Sequence, residues 1–225
     1  MLEDPAAECA ARLVRAAEAG GNIALTGGST PRRAYEMAAS AGADWSRAGI
    51  WFGDERCVPP DHEQSNYGMA RAALLERIEP AAVHRMPGER GPHDGAAAYE
   101  RELRDAFGAA TPELDLVLLG LGPDAHVASL FPNDAALGER ERPAVGVEEP
   151  GMAPLVARIS LTLPVLNAAR TVLFLVTGEE KAEAVARAFA GDPTPDAPGS
   201  LVRPLAGELT LLLDSGAASR LPGNA

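Results

Sequence analysis

Lysine is almost absent from this chain. Of its 20 basic residues only Lys181 is lysine, which leaves 19 arginines. Basic charge of either kind is scarce, since 32 acidic residues bring the net charge to −12 and the pI to about 4.8. Nucleic acid demands a basic face and an anionic membrane a basic patch, so neither is expected as a partner. A small anionic substrate stays compatible, through a local basic pocket. Two cysteines, Cys9 and Cys57, make neither a disulfide framework nor a zinc pattern. His62, His84 and His93 lie in unrelated polar segments without ligand spacing, so no metal is expected. No apolar run reaches the ~18 residues of a membrane span. The opening Met1-Leu2-Glu3-Asp4-Pro5 is acidic where a secretory leader is basic, and a cytoplasmic location is expected.

What is present is ordinary globular composition, 46% hydrophobic and 23% charged. No internal repeat or linker divides it, and one domain over residues 1–225 is expected. Ala6, Ala10, Leu13, Val14 and Ala17 form one apolar stripe, which predicts a helix over 5–19. Strands are expected at 22–26, 49–53, 114–119, 155–161, 171–176 and 208–213. Helices are expected at 31–39, 66–78, 164–169 and after Gly178, and another after Gly91 with Ala96, Tyr99, Leu103 and Phe107 on one face. Residues 54–60 and 133–154 read as loops, and the tail beyond Asp214 is expected to fray. This alternation predicts an α/β fold, a mostly parallel, Rossmann-like sheet with helices on both faces.

The organising stretch is Leu118-Leu119-Gly120-Leu121-Gly122-Pro123-Asp124-Ala125-His126. A buried strand stops at a glycine turn, and an Asp-x-His pair follows where open α/β sheets bind ligands. Residues 127–131 are compatible with a short helix ended by Pro132. A neutral imidazole is the usual general base near neutral pH, and an adjacent carboxylate can fix its tautomer. A structural histidine capping the helix is the other reading.

Three further constellations lie at predicted strand ends. Gly27-Gly28-Ser29-Thr30-Pro31 joins a glycine turn to a helix start, with Thr30 as expected N-cap. It suits a phosphate through backbone N–H groups and the helix dipole; a plain strand-to-helix turn is the alternative. In Asp54-Glu55-Arg56, Arg56 can grip a phosphate, with Asp54 or Glu55 orienting it, or the triplet is a solvated loop. Lys181 stands in the first turn of a helix, where a cation opposes the dipole unless an anion faces it. An exposed helix lysine is the simpler reading. Cys57, beside Arg56, reads better as a semi-buried thiol than as a reactive one, and Trp45 and Trp51 as core.

Together these segments resemble the 6-phosphogluconolactonase family, within the glucosamine/galactosamine-6-phosphate isomerase superfamily. The blocks are Leu25-Thr26-Gly27-Gly28-Ser29-Thr30-Pro31, Gly53-Asp54-Glu55-Arg56-Cys57-Val58-Pro59 with Ser65-Asn66, Gly120-Leu121-Gly122-Pro123-Asp124-Ala125-His126-Val127-Ala128-Ser129-Leu130-Phe131-Pro132, Arg158-Ile159-Ser160-Leu161-Thr162-Leu163-Pro164 and Thr177-Gly178-Glu179-Glu180-Lys181. The resemblance implies hydrolysis of 6-phospho-D-glucono-1,5-lactone in the pentose phosphate pathway, with no cofactor. It implies His126 as the base that activates water, with Asp124 beside it. Gly28, Ser29, Thr30, Arg56 and Lys181 would hold the phosphate. On chemical grounds, backbone N–H groups at the start of the expected short helix near Ala125 could stabilise the tetrahedral oxyanion. The expected partner is the phosphosugar lactone alone, and the expected state a monomer or weak homodimer.

This sequence departs from the family at Ala125, where Gly is usual, and at Gly199, where Ala is usual. The related deaminases follow the same turn with a catalytic Glu. Here Ser129-Leu130-Phe131-Pro132 carries no acid, which disfavours ring-opening chemistry.

Overall fold

The chain enters its main sheet near the centre, and that entry decides where a ligand can sit. The computed structural model describes residues 2–222. In chain order the elements are α1 (Pro5–Glu18), β1 (Asn22–Leu25), α2 (Ser29–Ala39), β2 (Gly49–Phe52), β3 (Asp54–Arg56), α3 (Asn66–Ala73), β4 (Ala82–Val83) and α4 (Pro92–Phe107). Then come β5 (Leu116–Leu119), β6 (Ala144–Val147), β7 (Arg158–Leu161), α5 (Leu163–Ala168), β8 (Thr171–Val176), α6 (Ala182–Phe189) and β9 (Glu208–Leu213). Single 3₁₀ turns lie between several of them.

Six strands form one parallel sheet in the order β4-β2-β1-β5-β8-β9. The chain runs outward from β1 to β4, returns to β5, and then runs outward the other way. Strand order therefore reverses between β1 and β5. Their carboxyl ends open the crevice where such sheets bind ligands. The central strands β1, β2, β5 and β8 are almost wholly buried, as parallel strands flanked by helices require.

Local chemistry sets the helix starts. Asp4 accepts from Ala7 N at 3.1 Å and Pro5 opens α1, which buries Ala6, Ala10, Leu13 and Ala17. Ser65 accepts from Gly68 N at 3.0 Å and caps α3. Two buried tyrosines pin strand ends just before the site. Tyr35 of α2 donates to Thr26 O (2.8 Å) and accepts from Thr26 N (2.9 Å). Tyr99 of α4 makes the same pair of bonds to Phe52. Each phenol satisfies backbone groups where the ladder stops.

Several expectations need correction. Residues 54–56 are not loop but β3, and residues 144–147, inside the expected 133–154 loop, are β6. With β7 they make a second, antiparallel sheet, β3-β7-β6. These short strands alternate neither cleanly nor long enough to stand out in sequence. No helix forms at 127–131: Val127 and Leu130 bridge across a turn, and Ala128 has φ 49°. Thr30 is not the cap of α2; Gly28 (φ 109°) holds that position. Beyond β9 the chain stays packed, because Asp214 accepts from Ala217 N at 2.7 Å and Ala217 and Ala218 are buried. Residues 223–225 of the expected frayed tail lie outside the described residues. Trp45 and Trp51 are core, as expected. Among the described residues, no helix is long and apolar enough to cross a membrane.

Candidate active site

A cavity of about 610 Å³ opens at the reversal point, within the usual size range of small-molecule sites. Gly28, Ser29, Thr30, Arg56, His126 and Lys181 all line it. Asp124 does not reach its wall but stands behind His126. The expected residues thus meet here, Arg56 from β3 and the others from the segments that follow β1, β5 and β8, with Asp124 reaching the site only through His126.

After β5 the chain turns sharply at Gly120-Leu121-Gly122. A Cβ on Gly122 would overlap the His126 ring, so glycine is required for the ring to fold back onto the turn. Gly122 N donates to His126 O at 2.9 Å, and Ala125 N donates to Gly122 O at 2.9 Å. Ala125 sits at φ 68°, in the left-handed region, with its methyl fully buried. Asp124 Oδ1 lies 2.6 Å from His126 Nδ1 and also accepts from His126 N at 3.1 Å. A carboxylate at that distance holds the proton on Nδ1 and leaves the Nε2 lone pair as acceptor. Burial pushes the Asp124 carboxyl up, but the hydrogen bond and charge of His126 outweigh burial and leave it below its ordinary value. Phe131 packs against the imidazole, with ring centroids 4.7 Å apart.

The backbone donors near Ala125 are not free for an oxyanion. Ala125 N, His126 N and Val127 N are bonded to Gly122 O, Asp124 Oδ1 and Leu130 O. With no helix at 127–131, the expected row of open N–H groups does not form.

The first turn of α2 presents Ser29 and Thr30 with no acidic residue and no side-chain cap. That leaves helix N–H groups and the positive end of the dipole facing the cavity. Thr30 Oγ1 lies 3.3 Å from Thr177 Oγ1, which ties this turn to the one after β8. Lys181 precedes α6 in a 3₁₀ turn, and its Nζ donates to Leu121 O at 2.8 Å. Burial lowers its ammonium pKa, opposed by the charges of Glu180 and Asp124.

Arg56 gains a partner that the sequence did not single out. In the β3–β7 ladder Arg56 and Arg158 are directly opposite, and both line the cavity. Like charges placed opposite each other across a sheet are destabilising. Neither forms an ion pair among the described residues. Arg158 is 4% exposed and donates to Val156 O (3.0 Å) and Pro154 O (2.8 Å). Its pKa is lowered by burial first and by the charge of Arg56 next. Arg56 donates to Gln64 O at 2.8 Å, and its buried Nε has no partner among the described residues. The charges of Asp54 and Glu55 act on Arg158 in the opposite sense, but among the described residues no carboxylate pairs directly with either guanidinium, which leaves both able to take an anion. The available signal was a charged residue opening an otherwise buried strand.

Glu55 does not orient the Arg56 guanidinium. Its carboxylate accepts from the backbone N of Arg56, Asn66 and Tyr67 and from Ser65 Oγ, which anchors the start of α3. Burial raises its pKa, with those bonds opposing. Cys57 is a protected thiol, since burial first and the Glu55 charge next push it up to about 11. Among the described residues, no group of three His, Cys, Asp or Glu is arranged to hold a metal ion.

Residues 1–211 match the family model described as glucosamine-6-phosphate isomerases/6-phosphogluconolactonase. The chain belongs to this family. It is 42% identical over 239 residues to the 6-phosphogluconolactonase of Streptomyces coelicolor, covering 99% of this chain and 91% of that protein. To the human 6-phosphogluconolactonase it is 41% identical over 207 residues, covering 88% and 80%. Among solved structures, the 6-phosphogluconolactonase from Trypanosoma cruzi superposes with a TM-score of 0.87 at 31% identity, over 99% of this chain and 96% of that one.

Proposed function

We propose that this protein is a 6-phosphogluconolactonase, hydrolysing 6-phospho-D-glucono-1,5-lactone to 6-phospho-D-gluconate in the oxidative pentose phosphate pathway. The observation that carries the reading is one cavity holding an Asp124-oriented imidazole and a separate cationic end, Arg56, Arg158 and Lys181, that forms no ion pair among the described residues. A δ-lactone is an activated ester, so a base and a positioned substrate suffice. His126 Nε2 takes a proton from water as the water oxygen attacks the lactone carbonyl. The tetrahedral intermediate collapses with cleavage of the bond to the ring oxygen, which takes the proton back from His126. Asp124 stabilises the transient imidazolium, and such base catalysis gives typically ~10²–10⁴-fold. The phosphate binds at Gly28, Ser29 and Thr30 with Arg56 and Lys181, and Arg158 joins this set. Remote from the reacting carbon, it supplies binding energy that orients the ring. A cytoplasmic monomer or weak homodimer belongs to the same proposal.

The test is loss of freshly generated 6-phosphogluconolactone, measured against its spontaneous hydrolysis. Wild-type protein accelerates it strongly. His126→Ala loses about 10²–10⁴-fold in kcat while affinity for 6-phosphogluconate stays within about twofold. Full turnover by that variant would place the base elsewhere, and no acceleration by wild type would end the lactonase reading.

A further inference from the structure

One buried link joins the histidine turn to the small sheet, and the mechanism above leaves it unused. Ser129 is fully buried and does not line the cavity, so it is no nucleophile. Its Oγ donates to Asp54 Oδ2 at 2.7 Å, and its N donates to Ser160 Oγ at 3.1 Å. Asp54, 5% exposed, receives Asn66 Nδ2 on Oδ1 at 3.0 Å. Both carboxylate oxygens are therefore held by neutral donors, and Asp54 forms no ion pair among the described residues. Asp54 and Ser160 face each other across β3 and β7, two positions from the facing Arg56 and Arg158.

The other side of the link is strained. Ala125 (φ 68°) and Ala128 (φ 49°) both occupy the left-handed region on either side of His126. Such backbone persists only where its surroundings over-determine it. On the near side, Gly122 O receives Ala125 N and Ala125 O receives Gly199 N, each at 2.9 Å. On the far side, Ser129 follows Ala128 and fastens the turn to β3 and β7 through its two bonds.

We propose that Ser129 is a positioning residue that sets the distance between the His126 base and the Arg56–Arg158 anion site. This rests on the assignment of His126 as base and of the arginine pair to the phosphate. A substrate anchored by its phosphate delivers its lactone carbon to one place only. The base must stand over that place, and a misplacement of ~1 Å can cost ~10²-fold. The His126–Asp124 contact lies within the turn and does not depend on Ser129.

The experiment compares wild type, Ser129→Ala and Ser129→Thr on the phosphorylated lactone and on glucono-1,5-lactone, which has no phosphate anchor. Ser129→Ala loses roughly 10–100-fold in kcat on the phosphosugar, with affinity for 6-phosphogluconate within about twofold and the shape of the pH profile unchanged. On the phosphate-free lactone its loss in kcat/KM shrinks to about threefold or less, because nothing fixes the ring relative to the arginines. Ser129→Thr, which keeps the hydroxyl, restores most of the turnover. Equal losses on both lactones, or kcat on the phosphosugar within about twofold of wild type, would overturn the proposal. If Ser129→Ala does not fold, Asp54→Asn weakens the same bond from the other end. It must lower kcat without weakening product binding, or the proposal fails. An inactive His126→Ala beside an unimpaired Ser129→Ala rejects the positioning role alone. A fully active His126→Ala rejects the assignment of the base.

Discussion

Ala125 carries the sharpest local conflict in the site. A left-handed L-residue costs about 1–2 kcal/mol relative to a free choice of backbone, and Ala125 pays it at φ 68°. Glycine would remove that cost but lose about 0.5–1 kcal/mol of chain entropy and about 0.8 kcal/mol of methyl burial. The terms nearly cancel. Ala125→Gly is therefore expected to change stability by less than about 1 kcal/mol, whereas Ala125→Val, β-branched at positive φ, costs more than about 2 kcal/mol. Urea titration of both variants checks this, and a large effect of the glycine would show that the methyl packs better than supposed. Asp124 gives a pH signature. Its folded pKa lies below the ordinary 3.8, so its ionised form contributes stability above about pH 4, lost as pH falls through the lowered value. Asp124→Asn should flatten the decline of the urea midpoint below about pH 4. It should also cut kcat by about 10²–10⁴-fold through the wrong imidazole tautomer.

Elements position these residues through a few side chains that replace missing ladder bonds. The parallel strands end where the site begins, so backbone groups there need other partners. Tyr35 and Tyr99 supply them at Thr26 and Phe52. Tyr99→Phe leaves the buried Phe52 N and O without the phenol and should destabilise by about 1–3 kcal/mol. For a chain of this size that is about 2–4 °C in Tm per kcal/mol. Thermal unfolding of the variant measures it, and an unchanged Tm would mean that water takes over the phenol's role. The short strands β3 and β7 act differently: their register sets Arg56 against Arg158 and Asp54 against Ser160. That ladder holds together what an isolated antiparallel pair would push apart.

At the scale of the whole molecule, the cavity draws on both sheets, so a bound anion should hold them together. With 6-phosphogluconate at 100 times its Kd, linkage adds about 2.7 kcal/mol to stability, or roughly 5–10 °C in Tm. The double variant Arg56→Ala/Arg158→Ala should lose most of that shift, and gluconate without phosphate should give little in either protein. A full shift retained by the double variant would assign the phosphate to Lys181 and the first turn of α2 alone. With a net charge of −12 the molecule as a whole repels anions, so an anionic substrate would need such a local basic site.

Much of this was readable in the chain itself. Periodicity marked α1 and α4, and β8 and β9 fall at their expected residues, because one buried stripe or one apolar run is a local property. The glycine turns after β1 and β5, and the Asp124–His126 pair two residues apart, are likewise local, so the sequence by itself determined the proposed base and its carboxylate neighbour. It could not show β6, the antiparallel sheet, the left-handed backbone at Ala125 and Ala128, or Arg158 facing Arg56. The antiparallel sheet and its facing arginines depend on which strands meet and in what register, and the left-handed backbone depends on how the turn is fastened to its surroundings. The Asp-x-His turn was fixed by neighbouring residues, whereas its attachment to β3 was decided only when Ser129 met Asp54 across the folded core.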